Sequence, residues 1–418
     1  MQSLLTLGRQ PALGLAELES LYGADKIRRV GAQAVVVDVD PCLLAFDRLG
    51  GSIRFAKVLT TLDTTNWRQI EKFLLEVGPG HAATMPEGKM TLGLSIQGLQ
   101  INRGQLEATG LSLKKAIRKS GRSVRLVPNK DPELSTPQVI HNNLTGPNGW
   151  ELLFVRDGDK TIVAQTVKIQ DIASYTRRDR ERPKRDAKVG MLPPKLAQII
   201  INLASGQVAE QNLLNICEIP AGRPIPRNIL SQTVLDPFCG TGVVLQEAHL
   251  MGYDVYGTDL EPRMIEYTKA NLDWLEECDG CRGQDVTLSD QEVAEVGDAT
   301  NHTWRPPIDF VACETYLGRP FTAMPDSTVL KQTVSDTNLI IKKFLRNIHG
   351  QLQPGTRLCI AVPAWQIKPN SFMHLPLIDQ IEDLGYNRTR FEHVRDSELI
   401  YYRSEQVVAR QLVILTRK

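Results

Sequence analysis

Apolar residues follow two regimes along this chain. Up to about residue 172 they fall in short alternating runs between turn residues; from Pro194 they fall in helical stretches that alternate with continuous apolar runs. In the first regime residues 4–7, 34–39, 91–96, 124–127, 138–140, 152–155 and 161–167 predict strands, and 12–21, 67–77 and 110–119 carry apolar positions at helical spacing. Turns such as Gly146-Pro147-Asn148-Gly149 and Asp157-Gly158-Asp159 separate them. In the second regime 194–204 predicts a helix, 234–235, 254–259, 310–312 and 358–362 predict buried strands, and 407–415 completes a closing hairpin. Strand–helix alternation at this spacing predicts an α/β fold with a doubly wound, mostly parallel sheet.

Composition narrows the class. A length of 418 residues exceeds one ordinary core, so two or three domains are expected. With 42% hydrophobic and 23% charged residues the chain reads as soluble and globular, and no apolar run approaches the ~20 residues of a membrane span. The start, Met1 to Gly8, lacks the basic head and apolar segment of a secretory signal, and the seven scattered cysteines look like reduced thiols, so a cytoplasmic protein is expected. Cys278-Asp279-Gly280-Cys281 has the spacing of half a zinc site, but with no second pair near it reads as a loop with two free thiols, and no metal is expected.

The net charge of +1 hides an asymmetry: residues 1–190 hold 28 Lys+Arg against 20 Asp+Glu, an excess of 8, and the remainder is correspondingly acidic. A clustered basic excess favours a polyanionic partner. Lys114 and Arg118, and Lys115 and Lys119, are spaced one helical turn apart and form two adjacent basic rows. The connector from Arg177 to Arg185, with Arg182, Lys184 and Arg185, is the densest basic run and a second candidate phosphate contact.

One run carries more chemistry than any other. Val234-Leu235-Asp236-Pro237-Phe238-Cys239-Gly240-Thr241-Gly242 reads as a buried strand, a glycine-bearing loop and the start of a helix. Gly240 and Gly242 remove side chains where a ligand approaches the backbone. Asp236 repels a pyrophosphate but attracts the ammonium of an amino-acid-bearing ligand. The run also lacks the third glycine of a dinucleotide fingerprint and the Gly-Lys-Ser/Thr of a P-loop. The ligand it suits is S-adenosylmethionine. Further on, the next strand ends in Asp259 and Leu260, where an acid suits a ribose diol. Val296-Gly297-Asp298-Ala299 places a third acid at a strand end, where it can accept an adenine amine. Asp236, Phe238, Gly240, Gly242, Asp259, Leu260, Asp298 and Ala299 are the expected cofactor set.

These runs belong to a wider pattern. Leu7-Gly8-Arg9-Gln10-Pro11-Ala12-Leu13, Ala16-Glu17-Leu18-Glu19, Arg182-Pro183-Lys184-Arg185-Asp186 and Gly190-Met191-Leu192-Pro193-Pro194-Lys195-Leu196-Ala197-Gln198 accompany the Asp236 loop. With them the whole chain resembles the THUMP-domain tRNA guanine N2-methyltransferases that modify the guanosine at position 10. The resemblance implies a ferredoxin-like unit over 1–60, a THUMP-like RNA-binding domain over 61–172, a basic linker over 173–192 and a Rossmann-like methyltransferase domain over 193–418. It also implies that Asp236, Gly240, Asp259 and Asp298 line the cofactor pocket and that tRNA is the substrate.

The chain departs from the family where chemistry is expected. Such enzymes carry Asp/Asn-Pro-Pro-Tyr/Phe after the fourth strand; here the run is Phe310-Val311-Ala312-Cys313-Glu314-Thr315-Tyr316-Leu317-Gly318. Tyr316 keeps the stacking position, Cys313 stands in place of the acid, and Glu314 and Thr315 replace the prolines. Glu314 supplies a carboxylate one position later, so Cys313, Glu314, Thr315 and Tyr316 are the expected catalytic segment. Two alternatives stay open: an amino-methyltransferase acting on rRNA or DNA, and a catalytically weak RNA-binding homologue. The oligomeric state is open as well.

Overall fold

The computed structural model describes residues 2–186, 191–218, 230–278 and 293–418. β-Branched and leucine-rich runs at the N-terminus pair into strands and leave helix α1 (Pro11–Tyr22), apolar on most faces, to pack elsewhere. The chain accordingly divides into two units: Met1–Pro11, Lys26–Phe46 and Ser52–Gln170 form the first, and Ala12–Asp25, Asp47–Gly51 and Asp171–Lys418 the second.

The first unit is built on one eight-stranded sheet. Its strands are β1 (Ser3–Leu7), β2 (Ile27–Val30), β3 (Ala34–Val37), β4 (Ser52–Leu62), β5 (Met90–Gln97), β6 (Val124–Leu126), β7 (Gly149–Asp157) and β8 (Lys160–Ile169), in the order β2-β3-β1-β4-β8-β7-β5-β6. β5 runs parallel to β6 and β7, and the other pairs are antiparallel. The sheet passes unbroken through residue 60, which lies inside β4. Helices α2 (Trp67–Thr84) and α3 (Arg103–Lys119) bury Ile70, Leu74, Leu106, Leu113 and Ile117 against Leu92, Leu94 and Phe154. Their starts are set by Asn66 and Asn102, whose side chains accept from Arg68 N and Gln105 N at 3.0 and 2.9 Å. The expected strand at 138–140 is instead part of α4 (Thr136–His141). Ser135 and Gln138 form a helix-start pair there, Ser135 N donating to Gln138 Oε1 at 3.1 Å, and Pro137 fits the first turn. That local start signal outweighs the short β-branched run.

The second unit carries a nine-stranded sheet. β9 (Thr233–Asp236), β10 (Asp254–Asp259), β11 (Ala294–Val296), β12 (Phe310–Glu314) and β13 (Arg357–Lys368) are parallel. β17 (Val408–Arg417) lies antiparallel between β13 and β15 (Tyr386–Arg388), with β14 (Ser371–Met373) and β16 (Ile400–Tyr401) as short additions. The order β11-β10-β9-β12-β13-β17-β15 is a Rossmann-like doubly wound sheet closed by an antiparallel strand. The basic connector is not a plain linker: residues 172–180 form α5 (Ile172–Arg180), started by Asp171, whose side chain accepts from Ser174 N at 3.0 Å. The remaining helices are α6 (Pro194–Ser205), α7 (Glu210–Cys217), α8 (Val243–Leu250), α9 (Pro262–Glu277) and α10 (Ser327–His349). The core on the α10 side joins Ile341, Phe344 and Leu345 to Leu235, Val311, Cys313 and Ile360. Among the described residues no helix is long and apolar enough to cross a membrane. Cys278 is disulfide-bonded, which corrects the free-thiol expectation, and Cys281 lies outside the described residues.

A buried carboxylate fastens α1 into the second unit. Glu17 accepts from Gly50 N and Gly51 N, both at 2.9 Å, and from Asn202 Nδ2 at 2.7 Å. Gly51 is obligatory here, because a Cβ on it would lie 2.3 Å from Gly14 Cα. Asn202 Oδ1 accepts in turn from Arg48 Nη2 at 3.3 Å, and Arg48 Nη2 also donates to Tyr253 OH at 2.6 Å. Burial outweighs these hydrogen bonds and raises the Glu17 pKa from 4.5 to about 7. Since the folded pKa lies above the unfolded one, the folded chain holds an extra proton between pH 4.5 and about 7, and this group's contribution to stability grows as pH falls through that window. The stability difference between wild type and Glu17→Gln should therefore shift by on the order of 2–3 kcal/mol between pH 5 and 8, with wild type relatively stronger at pH 5. Urea unfolding at both pH values checks this; a difference independent of pH would show that Glu17 does not titrate there.

Candidate functional site

The site begins where two parallel strands part. β9 pairs with β12 only at Val234–Phe310 and Leu235–Val311, whereas β12 continues along β13 to Glu314–Ala361. Beyond Leu235 the strands diverge, and Asp236 stands at the crevice where the strand order reverses. Asp236 Oδ1 accepts from Phe238 N at 3.1 Å. Cys239 N donates to Thr258 O at 2.9 Å, tying the loop to β10, and Gly242 N closes a turn onto Cys239 O at 2.7 Å. Asp259 then braces the loop from the next strand, taking Gly240 N on one oxygen at 2.9 Å and Glu261 N on the other at 3.0 Å. From α9, Thr268 Oγ1 donates to Gly240 O and Asn271 Nδ2 to Thr241 O, both at 2.8 Å. Gly240 and Gly242 adopt φ of +51° and +81°, a region that glycine enters without strain. The loop is thus fixed through its backbone, with few side chains in the way.

The electrostatics of this corner are crowded. Burial is the main cause that pushes the Asp236 carboxyl well up, and the charges of Asp259 and Glu314 add to it. Asp259 is raised by burial too, against the two N–H bonds that favour its anion. A cation placed among them relieves both.

The other cofactor candidates divide. Phe238 is half-buried and packs edge-on against Phe344 at 5.0 Å, while Leu260, 63% exposed, projects beside Asp259. Asp298 is half-buried at the head of a turn, accepting from Thr300 N at 2.9 Å and Asn301 Nδ2 at 3.4 Å. Ala299 is buried: its methyl group lies in the core, and its carbonyl accepts from Asn347 Nδ2 at 3.1 Å.

The catalytic segment also needs correction. Cys313 is fully buried among Leu235, Val311 and Ile360, and burial pushes its thiol far up, so it does not occupy the acid's place. Thr315 is buried as well, its N and Oγ1 both donating to Ala361 O, at 3.0 and 3.1 Å. Strand alternation presents Glu314 instead, the last residue of β12, and its Oε1 accepts from Arg410 Nε. Tyr316 follows at 43% exposure. Sequence reasoning passed over Arg410; its signal was a lone arginine inside the apolar final strand. Its register partner is Tyr401, which puts the β16–β17 hairpin beside Glu314.

Among the basic candidates, Lys115, Arg118 and Lys119 are exposed near the C-terminus of α3, and Lys114 is half-buried. Lys184 and Arg185 are exposed, and the Lys184 backbone is pinned by Asn271, accepting and donating at 2.9 Å. Arg182 is overturned as a surface contact, being 2% exposed. Two further residues were not anticipated: Arg178, which forks onto Glu247 at 2.6 and 3.1 Å, and Gln198, which donates to the same carboxylate at 3.0 Å.

No family model matches the chain. In sequence it is 28% identical over 174 residues to the tRNA (guanine(10)-N2)-dimethyltransferase of Methanothermobacter thermautotrophicus, covering 42% of this chain and 39% of that protein. The Pyrococcus abyssi protein of the same name is 28% identical over 176 residues, 41% of this chain and 39% of that one. The Methanocaldococcus jannaschii namesake is 31% identical over 131 residues, 31% and 30% of the two chains. The chain thus spans about two fifths of the length of the first two relatives it matches. Among solved structures, TrmN from Thermus thermophilus aligns over 100% of both chains at 16% identity with a TM-score of 0.47.

The loop's dependence on glycine is testable. A Cβ on Gly242 would lie 3.0 Å from Thr268 Cγ2, whereas Gly355, at a similar φ of +86°, has open space around it. Gly355→Ala should cost about 1 kcal/mol, the backbone penalty alone, and Gly242→Ala about 1 kcal/mol more. Chemical unfolding of both variants checks this, and equal losses would mean that α9 does not pack the loop.

Proposed function

We propose that the chain transfers a methyl group from S-adenosylmethionine to the exocyclic N2 of a guanosine in tRNA, at a position-10-type site. The observation that carries this reading is the gathering of Asp236, Asp259, Asp298 and Glu314 at the C-terminal ends of successive parallel strands, around the point where β9 and β12 part. The names of the relatives support tRNA and the guanine N2 atom as the target.

The donor brings its methyl group on an activated sulfonium, so the protein's share is binding, alignment and exclusion of water. Asp236 suits the donor's ammonium, which relieves the carboxylate crowding around it. Asp259 spends one lone pair of each oxygen on the loop and keeps others for a ribose diol. Leu260 offers apolar cover to the adenine ring, and Asp298 an acceptor for its amine. Glu314, steadied by Arg410, accepts a hydrogen bond from the target amine and sharpens its lone pair toward the methyl group. Tyr316 stacks on the base, offsetting part of the cost of unstacking it. Lys114, Lys115, Arg118, Lys119, Lys184 and Arg185 serve as phosphate contacts that hold the RNA by shape and charge.

Labelled donor offered with tRNA, rRNA and duplex DNA, followed by nucleoside analysis, tests the proposal. The expected product is N2-methylguanosine in tRNA. Label confined to rRNA or DNA sinks the proposal, and binding without any transfer favours the weak-homologue alternative. Glu314→Gln should lower kcat by about 100-fold or more with donor affinity nearly unchanged; full retained turnover would remove Glu314 from the chemistry. Replacing Lys115, Arg118 and Lys119 by Ala should flatten the salt dependence of tRNA binding by about 0.7–0.9 per lost contact. An unaltered slope places the RNA elsewhere.

A further inference from the structure

Arg182 is the residue whose burial the rest of the second unit leaves without a reason. Arg182 is 2% exposed, yet among the described residues its Nε, Nη1 and Nη2 all lack a hydrogen-bond partner. A guanidinium stays charged, so covering it unpaired is among the least favourable arrangements a fold can hold. Arg178, one helical turn earlier, shows the normal solution, a fork onto Glu247. Glu247 is near enough to act on the Arg182 charge but is already engaged by Arg178 and Gln198. Asp179 acts on Arg182 more strongly, but it also faces Arg403, and Arg185 adds a like charge. Among the described residues neither acid hydrogen-bonds Arg182.

Its surroundings indicate where an anion would sit. Glu247 lies on α8, just past the first turn of that helix, and α8 starts at Gly242, which has no side chain to cap it. The chain just after Arg182 is held to the same loop, because Asn271 Nδ2 donates both to Lys184 O at 2.9 Å and to Thr241 O at 2.8 Å. A buried unpaired guanidinium and an uncapped helix start therefore flank one loop, and Asp236 begins that loop with a buried carboxylate. A ligand bearing ammonium and carboxylate on the same carbon complements both charges.

We infer that Arg182 pairs with the α-carboxylate of the methyl donor's amino-acid end, in the corner beside the uncapped start of α8. The inference rests on the donor proposed above. Turning the guanidinium out of its present cover takes a rotamer change, which costs far less than leaving a buried charge unpaired. An RNA phosphate offers similar chemistry, but the exposed Lys184 and Arg185 nearby are better placed for a backbone phosphate.

Calorimetry on the full chain separates these cases, with S-adenosylhomocysteine and 5′-methylthioadenosine as probes. The two share a nucleoside and a thioether, but only the first has the amino-acid end. Arg182→Gln should weaken S-adenosylhomocysteine by about tenfold or more and leave methylthioadenosine within about twofold. Arg182→Lys, which keeps the charge but not the fork, should recover part of the loss. Unchanged S-adenosylhomocysteine affinity overturns the inference, as does an equal loss for both probes, the mark of a purely structural role. A loss confined to tRNA binding overturns it too and assigns the arginine to a phosphate. If Arg182→Gln does not fold, Arg182→Lys decides alone: the preference for S-adenosylhomocysteine must shrink relative to wild type, and an unchanged preference overturns the inference. Failure of wild type to bind either probe would count against the donor itself.

Discussion

The second unit depends on β9 and β12 sharing only two rungs of ladder. Asp236 ends β9, and Pro237, with no N–H to donate, cannot extend the pairing. The chain must turn out of the sheet there, and it does so through Gly240 and Gly242 in left-handed conformations. A gap opens between the strands as a consequence, and carboxylates at neighbouring strand ends face it together. Such acids repel one another and lose hydration on burial. The fold offsets part of this with backbone N–H groups, from Phe238 to Asp236 and from Gly240 and Glu261 to Asp259, and with the Arg410 guanidinium on Glu314. What remains uncompensated is a preference for positive charge, built in before any ligand arrives.

That preference orders the rest of the site. The bonds that satisfy Asp259 are the ones that shape the Gly240 loop, so loop geometry and charge are not independent. Removing the carboxylate loosens the loop, and moving the loop leaves the carboxylate without its donor. α9 locks the same loop from the far side through Thr268 and Asn271, and Asn271 also holds the Lys184 backbone. Asn271 thus ties the connector and the loop to the same point on α9. Preorganisation of this kind is what a transfer reaction needs when the donor is already activated and alignment supplies most of the acceleration.

How much of this the sequence showed follows from the range of the forces involved. The Asp236 loop, Asp259 and Asp298 were legible because a strand end, a glycine pair and an acid are local signals. The parallel sheet followed from the alternation of apolar runs, and its closing strand from residues 407–415. The 138–140 error arose because a short β-branched run resembles a strand until Ser135 and Gln138 are read together. The misplacement of Cys313 has a different cause: every residue from Phe310 to Cys313 is apolar enough to be buried, so the pattern does not say which face the last residue takes. Only pairing with β13 decides it, and that is a long-range fact. Arg178, Arg182 and Glu247 were illegible for the same reason, since a charge run normally implies solvent and here two of its members point inward.

The acids withdrawn from water in this unit are met in two ways, and the way each is met does not by itself separate architecture from function. Glu247 and Glu314 are met by arginines, and each fixes one element to another. Glu17, Asp236 and Asp259 accept mainly from backbone or amide N–H groups, and burial pushes all three pKa values up. Perturbation alone would therefore nominate Glu17 as readily as Asp236. Geometry decides otherwise. Glu17 is closed in by Gly50, Gly51 and Asn202, with Arg48 already lending it positive charge, and no strand end opens beside it. Asp236 sits where two strands part, with Asp259 and Glu314 adding negative charge. The same desolvation that makes Glu17 a titratable fastening makes Asp236 the better candidate for a cation, because Asp236 lies where the strands part with further negative charge beside it.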